Sequence, residues 1–564
     1  VDLPAKYILG GDLKGDDLMK EILGYIKPYK REAIFTILFV VLEVIVEMTL
    51  PILMADIVGK GIQSGDMVYI IKTGLFMVGL AAISILAGIG NSKFSARSAI
   101  GFAANLRKGL FEKVQTFSFK NIDSFSTASL STRLTNDVTN LQNTVIMILR
   151  LVVRIPLMLI FSIVMAISIN GKLTLILVII MPILICALGF IIYKAMPLFG
   201  VMQSCIDKLN GNVQENLTNV RVVKSFVREE YEKAKFKKSN DSLMDTALKA
   251  MNIVILNMPV MILMMDISVV AVVWIAGNQI IGGAFDVASM TAFITYLFQI
   301  LISLMMISMV FIMMTRASAS YKRIVEVLKT EVDLHDNEGA VNVKSIRGDV
   351  TFENVSFKYN EEDTEYILTD INFEASAGEV VAIVGGTGSG KTSLVQLIPR
   401  LYDVSKGRIL IDGKDITTFT VESLRENIGM VLQKNTLFSG TIRDNLKWGN
   451  PEATDEEMIE ASKSAEAHGF IMGFPEGYDT WIDQGGVNVS GGQKQRLCIA
   501  RAMLKKPKVL ILDDSTSAVD TATEKKIREA FKTNLKDTTI LLIAQRISSV
   551  QDADKILVVD DGKV

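Results

Sequence analysis

Histidine and cysteine are nearly missing from this sequence. Two histidines, His335 and His468, and three cysteines, Cys186, Cys205 and Cys498, are spread along 564 residues. That scarcity leaves no His-rich metal chemistry, no disulfide framework and no cysteine metal site, and buried thiols are the plain reading. An excess of one charge is missing too. Lys and Arg number 59 against 61 Asp and Glu, a formal charge of −2, so the signature of a polycationic nucleic-acid binder is absent. The first residues show no apolar run followed by a small-residue cleavage site, and no signal peptide is expected.

What is abundant is apolar surface. Half of the chain is hydrophobic and the mean hydropathy is +0.37. Six long apolar runs, roughly 34–54, 70–90, 145–168, 173–195, 251–281 and 287–314, all fall in the first 325 residues. Each reaches the ~20 residues that a bilayer-spanning helix needs, and tilting or extension into water absorbs the longer ones. Segments 91–144 and 196–250 are rich in Lys and Arg, whereas the other three connections hold only Lys60 and Lys172. The positive-inside rule places both long segments and both termini in the cytoplasm. These segments lack Pro/Gly clusters and read as membrane helices continuing into water; independent cytosolic inserts are the other reading. The stretch "DDLMKEILGYIKPYKRE" is amphipathic and suits an interface. Ionisable residues also fall inside the runs or at their edges: Glu43 and Glu47 one turn apart, Arg150 and Arg154 likewise, and Asp266. Such groups face a cavity or a partner, and internal ion pairing is the simpler account.

Residues 326–346 turn polar and read as a linker. From 347 to 564 short apolar strands ("DVTFENVSF", "VVAIVG", "RILIDG", "VLILDD", "TILLIA") alternate with helical patterns. The expected architecture is a membrane all-α domain over 1–325, followed by an α/β domain with a largely parallel sheet.

Within that second domain "VVAIVGGTGSGKTSLVQLI" contains G-x-x-x-x-G-K-[ST] between a strand and a helix, the context a P-loop requires. The glycines of Gly385, Gly386, Thr387, Gly388, Ser389 and Gly390 let backbone N–H groups curl around phosphate oxygens. Lys391 supplies charge to the outer phosphates, and Thr392, followed by Ser393, offers a hydroxyl to Mg²⁺. In "KVLILDD" the carboxylate of Asp513 stands at the end of a buried strand, where it would organise Mg²⁺. A strand-terminating turn residue is the bland alternative, and the P-loop upstream argues against it.

Between these motifs lies "NVSGGQKQRLCIARAM". Val489, Ser490, Gly491, Gly492 and Gln493 closely resemble the LSGGQ signature of ATP-binding-cassette (ABC) transporters. Other positions agree with that family. Tyr359 matches the aromatic that stacks on adenine, Gln433 the Q-loop glutamine, which also serves the metal, and Asp520 the end of the D-loop. Six spans ahead of one cassette resemble an exporter half-transporter. The resemblance implies a dimer in which two cassettes sandwich two ATPs, each between one chain's P-loop and the other's signature. It also implies coupling helices around Lys120–Ser126 and Glu215–Val222, the second docking on the partner's cassette.

Two departures stand at the hydrolytic side. Most members follow the Mg²⁺-organising Asp with a Glu that acts as base for the attacking water. Here the position is Asp514, one methylene shorter, and a misplacement on the order of 1 Å can cost roughly 10²-fold. The switch-histidine position is Gln545, which can donate a hydrogen bond but cannot carry an imidazolium charge. Gln484 stands where exporters usually have an acid before the signature. The expectation is therefore a degenerate site: a subunit of a heterodimeric bacterial multidrug exporter that completes the competent site of a non-identical half-transporter. Cargo would be hydrophobic or amphipathic, drug- or lipid-like, and membrane lipid the surroundings. A homodimeric exporter with slow ATPase, an ATP-gated regulator and an importer on the same fold are the alternatives.

Overall fold

Each apolar run becomes a helix that outlasts it. The computed structural model describes residue 22, residues 24–544, residue 546 and residues 550–564, with the side chains at 308, 309, 311, 312, 315 and 316 left aside. Gln545 and most of the residues that open the amphipathic N-terminal stretch lie outside the described residues.

Among the described residues six helical stretches are long and apolar enough to cross a membrane: Lys27–Ile62, Met67–Gln115, Thr127–Ile169, Gly171–Thr218, Glu229–Ile281 and Val287–Ile307. The sixth continues as helix to Lys329. Met67–Gln115 alone runs 49 residues, which at 1.5 Å per residue is about 70 Å, over twice the thickness of a bilayer core. The third and fourth spans are joined by almost nothing. Asn170 accepts hydrogen bonds from the Lys172 and Leu173 backbone N–H groups and so caps the fourth helix one residue after the third ends.

The spans are not uniform rods. Pro51 interrupts the first, Pro156 the third, and Pro182 and Pro197 the fourth. Among the described residues π-helical turns occur at Ile57–Ile62, Arg133–Asp137 and Ile148–Val152. A buried core of Val40, Val44 and Met48 against Met158, Ala292 and Tyr296 joins the first, third and sixth spans, and the Tyr296 hydroxyl donates to the Met48 carbonyl.

The chain divides into two compact units, Val1–Val114 with Ala128–Lys329, and Gln115–Thr127 with Thr330–Val564. In the second unit, the strands are β1 (Val350–Phe357), β2 (Leu368–Ala375), β3 (Val380–Gly385), β4 (Lys406–Ile411), β5 (Lys414–Asp415), β6 (Ile428–Val431), β7 (Gly440–Thr441), β8 (Trp481–Ile482), β9 (Val509–Asp513), β10 (Thr539–Ile543) and β11 (Lys555–Val559). An antiparallel sheet runs β2-β1-β4-β5, and an all-parallel sheet runs β11-β3-β10-β9-β6. β9 and β10 are buried along their whole length, as strands of a parallel sheet covered on both faces must be. The C-terminal ends of β3 and β9, on either side of β10, therefore open on the same edge. That is where open α/β sheets bind ligands.

Gln115–Thr127 packs within this second unit. Asn121 donates to the Glu331 carbonyl at 3.0 Å, Ser118 donates to Asp333, and the Tyr402 hydroxyl donates to Asp123 at 2.6 Å.

Candidate functional site

β3 ends at Gly385, and the helix Lys391–Leu397 begins five residues after the turn opens. Two of the glycines between them are required by space. A Cβ on Gly385 would run into the Val559 carbonyl oxygen. Gly390 has φ +96°, and its Cβ would sit 2.8 Å from Leu368 Cδ2. Gly386 and Gly388, by contrast, face open space. The Lys391 ammonium folds back over this loop and donates to the carbonyls of Gly385 at 3.0 Å and Gly386 at 2.5 Å, and to Ser389 Oγ at 3.4 Å. Next along, Thr392 Oγ1 donates to Asp513 Oδ1 at 3.1 Å. A cradle of backbone, an ammonium, a hydroxyl and a carboxylate thus converge between the ends of β3 and β9.

Asp513 is 1% exposed. Burial pushes its carboxyl above the ordinary range and the neighbouring Asp514 charge adds to this, against the Thr392 hydrogen bond and the Lys391 charge. A buried carboxylate in that state calls for a cation. Among the described residues no three His, Cys, Asp or Glu side chains gather to hold a metal by themselves. The donor set of one carboxylate and one hydroxyl fits Mg²⁺, which takes few protein ligands and completes its shell with phosphate oxygens and water.

Asp514 is half-buried with φ +49°. Asp is among the few residue types that tolerate this left-handed backbone, and such positions cluster at active sites. Burial raises its pKa as well, opposed by a hydrogen bond from the Gln433 side chain and by the charges of Arg546 and Lys391. Gln433, exposed just beyond β6, therefore meets the site through Asp514. Tyr359 stands beside the P-loop helix, with its hydroxyl 2.9 Å from Ser393 Oγ. Its ring is held edge-on by Phe357 and Tyr402, at centroid distances of 4.9 and 5.1 Å.

The remaining expected residues form a second cluster. Ser490 caps the helix Gly491–Leu504 in a reciprocal pair with Gln493, so the Gln493 side chain serves the cap. Ser490 and Gly491 are exposed. Asp520 caps the helix Thr521–Asn534, and the Thr523 backbone N–H holds its carboxyl below the usual range. Among the described residues no hydrogen bond joins Ser490 or Gln493 to Lys391, Thr392 or Asp513. Val489 packs into the core, and Ser490 and Gly491 are the part of the signature left exposed.

Sequence reasoning missed the groups that hold these pieces together. Buried Gln495 donates to Ser517 Oγ at 3.2 Å and accepts from the Ala518 N–H at 2.9 Å. From the other side Arg546 donates to the carbonyls of Ser517 and Val519 at 3.1 and 3.3 Å. Residues 517–519 are thereby clamped between the signature helix and Arg546, which lies just past the end of β10. Tyr402 touches both Tyr359 and Asp123, and linked Phe119 packs on it at 6.1 Å. The only signal in the sequence is the placement of Gln495 two residues after Gln493, on another face of the helix.

Two family models match the chain: ABC transporter transmembrane region over residues 33–314, and ABC transporter over residues 368–517. A Bacillus subtilis (strain 168) protein described as "Uncharacterized ABC transporter ATP-binding protein YfiB" is 41% identical across 97% of this chain and 94% of its own length. The chain belongs to the ABC transporter family. It is an ATP-hydrolysing translocase of the membrane, six apolar helices fused to a cytoplasmic ATP-binding cassette. Another B. subtilis protein, "Putative multidrug export ATP-binding/permease protein YgaD", is 35% identical over 97% of this chain and 95% of its own. The solved structure of a bacterial Atm1-family ABC exporter with ATP bound matches with a TM-score of 0.79 and 27% identity, over 95% of both chains.

The likeness to an Atm1-family exporter corrects one expectation. This ABC transporter is not to be read as the degenerate-site subunit of a heterodimeric multidrug exporter, and the non-identical half-transporter partner is withdrawn with that reading. The physical reason lies at Asp514. Its shorter reach shows in the sequence and its environment does not: a carboxylate with a raised pKa is a stronger base, and Gln433 holds it in place. Gln545, the second supposed loss, lies outside the described residues.

Proposed function

We propose that two copies of this chain form a homodimeric exporter that moves hydrophobic or amphipathic compounds out across the cytoplasmic membrane. The sequence resemblance implies the arrangement of two identical ATP sites, each closed by the P-loop of one copy and the signature of the other. The observation that carries the reading is the meeting of Lys391, Thr392 and Asp513 at one edge of the parallel sheet, with the outward-facing Ser490 and Gly491 left for a second copy. The match to an Atm1-family exporter along nearly the whole chain supports the pairing of like with like.

In this reading backbone N–H groups from Gly386 to Ser389 hold the phosphates, and Lys391 leaves its loop carbonyls to meet the outer ones. The ring of Tyr359 stacks on adenine. Thr392, Asp513 and Gln433 would hold Mg²⁺, which supplies positive charge to the phosphate oxygens. Asp514 accepts the proton of the attacking water. A shorter reach and a raised basicity oppose one another, so turnover is slow but real. The Gln495 and Arg546 clamps keep the loop after Asp514 in register with the signature helix.

The test is the full chain alone, reconstituted in liposomes. Its mass gives the assembly, and its ATPase is compared with that of Asp514→Asn and Asp514→Glu. A dimer of identical chains, about 10²-fold slower as Asp514→Asn and up to about tenfold faster as Asp514→Glu, is the expected result. Turnover indifferent to both changes would remove Asp514 from the reaction, and a chain that stays monomeric and inert would remove the homodimer.

A further inference from the structure

Two acids and one arginine meet inside the membrane unit. Glu43 lies at the midpoint of the helix Lys30–Asp56, and Glu47 one turn further on. Arg154 reaches both from the third span, its Nη1 donating to Glu43 Oε1 and its Nη2 to Glu47 Oε2, each at 2.7 Å. The other oxygen of Glu43 accepts from Asn91 Nδ2, on the second span, at 3.4 Å. Asn91 is 3% exposed, and its Oδ1 is buried with no hydrogen-bond donor.

The cluster is unbalanced in two ways. Two carboxylates against one guanidinium leave a net charge of −1. Arg150, one turn nearer the cytoplasm, makes no ion pair with either acid among the described residues. The unmet groups are also all acceptors. Among the described residues they are Asn91 Oδ1 and the second oxygen of Glu47. No water is at hand in a bilayer core to satisfy them. A purely structural lock would give each acid a cation of its own. This cluster instead keeps one negative charge and a set of oxygens open to a cation. The backbone around Arg154 is also irregular, with the π-helical turn Ile148–Val152 just before it and Pro156 just after. Such turns are frequent at functional sites.

We propose that Glu43, Glu47 and Asn91 bind the cationic head of an amphipathic cargo, with Arg154 holding the two carboxylates apart and in place. The proposal rests on the exporter reading above and narrows its cargo to cations. Glu47, 34% exposed against 16% for Glu43, is the side from which the head enters. The apolar faces of the same helices take the rest of the molecule.

The test uses the full chain in lipid nanodiscs and two probes of one shape and opposite charge, tetraphenylphosphonium and tetraphenylborate. The cation is expected to bind at least about tenfold more tightly than the anion, relative to protein-free discs. Glu47→Gln should cost the cation about tenfold, and Glu47→Asp far less. Asn91→Asp adds a charge and should tighten the cation several-fold, a gain that a merely structural role for Asn91 would not give. The proposal is overturned if the wild type shows no preference for the cation, or if Glu47→Gln and Asn91→Asp both bind it as the wild type does. ATP-driven uptake of a neutral dye into proteoliposomes reads the parent function separately. Dye uptake without cation binding overturns the cation site alone. Absence of uptake for neutral, cationic and anionic probes overturns the exporter reading beneath it.

Discussion

Both halves of this transporter hold a pair of carboxylates out of bulk water, and they manage the pair in opposite ways. In the cassette Asp513 and Asp514 are adjacent in sequence, and the strand end sends them to different tasks. One is buried against Thr392, the other is turned by a left-handed backbone toward Gln433. In the membrane Glu43 and Glu47 are four residues apart, which puts them on one face of a helix, and a single Arg154 serves both. The cassette thus keeps its acids short of positive charge until nucleotide and metal come. The membrane pair is mostly compensated beforehand, because an open charge costs more where water is absent. The lesson is that the permanence of the counter-charge, rather than the number of acids, separates a site that turns over from one that recognises.

Changes at each pair sharpen or break that contrast. The largest effect is expected at the cation built into the phosphate cradle: Lys391→Ala should lower ATPase by at least about 10²-fold, read by phosphate release. Asp514→Asn follows, at about 10²-fold. In the membrane the damage should appear as stability. Arg154→Met leaves two uncompensated carboxylates at bilayer depth and should cost about 3–5 kcal/mol, seen as a drop in the unfolding temperature in nanodiscs. The triple variant with Glu43→Gln and Glu47→Gln should recover most of it. If Arg154→Met alone were harmless, the membrane pair would not depend on its counter-charge and the contrast would fail.

A smaller effect is expected with pH. The pKa of Asp514 is raised, so its proton is held to higher pH than in an ordinary aspartate. The base is lost as pH falls through that raised value, and the acid limb of the kcat profile should sit above the usual carboxylate range. Asp514→Asn should erase that limb. Smallest is Tyr402→Phe, which removes one hydrogen bond to Asp123 and should cost about 1 kcal/mol. It should be read as a few-fold loss of cargo-stimulated ATPase with basal binding of nucleotide kept.

What could be read in the sequence was what is contiguous. The P-loop, the end of β9 and the signature are each a few consecutive residues whose types answer to backbone geometry, so each could be picked out, and the first two meet while the signature of the same copy stands apart. The spans were legible because hydropathy reports the bilayer, but it does not report where a helix ends. Met67–Gln115 runs far beyond its apolar stretch. Contacts between distant residues left no such trace. Nothing near Tyr402 announces Asp123, nothing near Asn91 announces Glu43, and the clamp of Gln495 on Ser517 and Ala518 looks like an ordinary helix residue. The misjudged partner came from the same source. The loss of a methylene at Asp514 is visible in the sequence, while the burial that makes its carboxylate more basic is a property of the folded site.

The order of synthesis gives the Arg154 pairing one more consequence. The ribosome delivers the first span, with both glutamates, well before the third span and its arginine have been made. Each bare acid near a helix centre costs about 2.5–3.5 kcal/mol on insertion scales. The nascent first helix must therefore wait beside the translocon, or be sheltered there, until its counter-ion arrives. A chain cut after the second span should integrate poorly, and the same fragment with both glutamates changed to glutamine should integrate well.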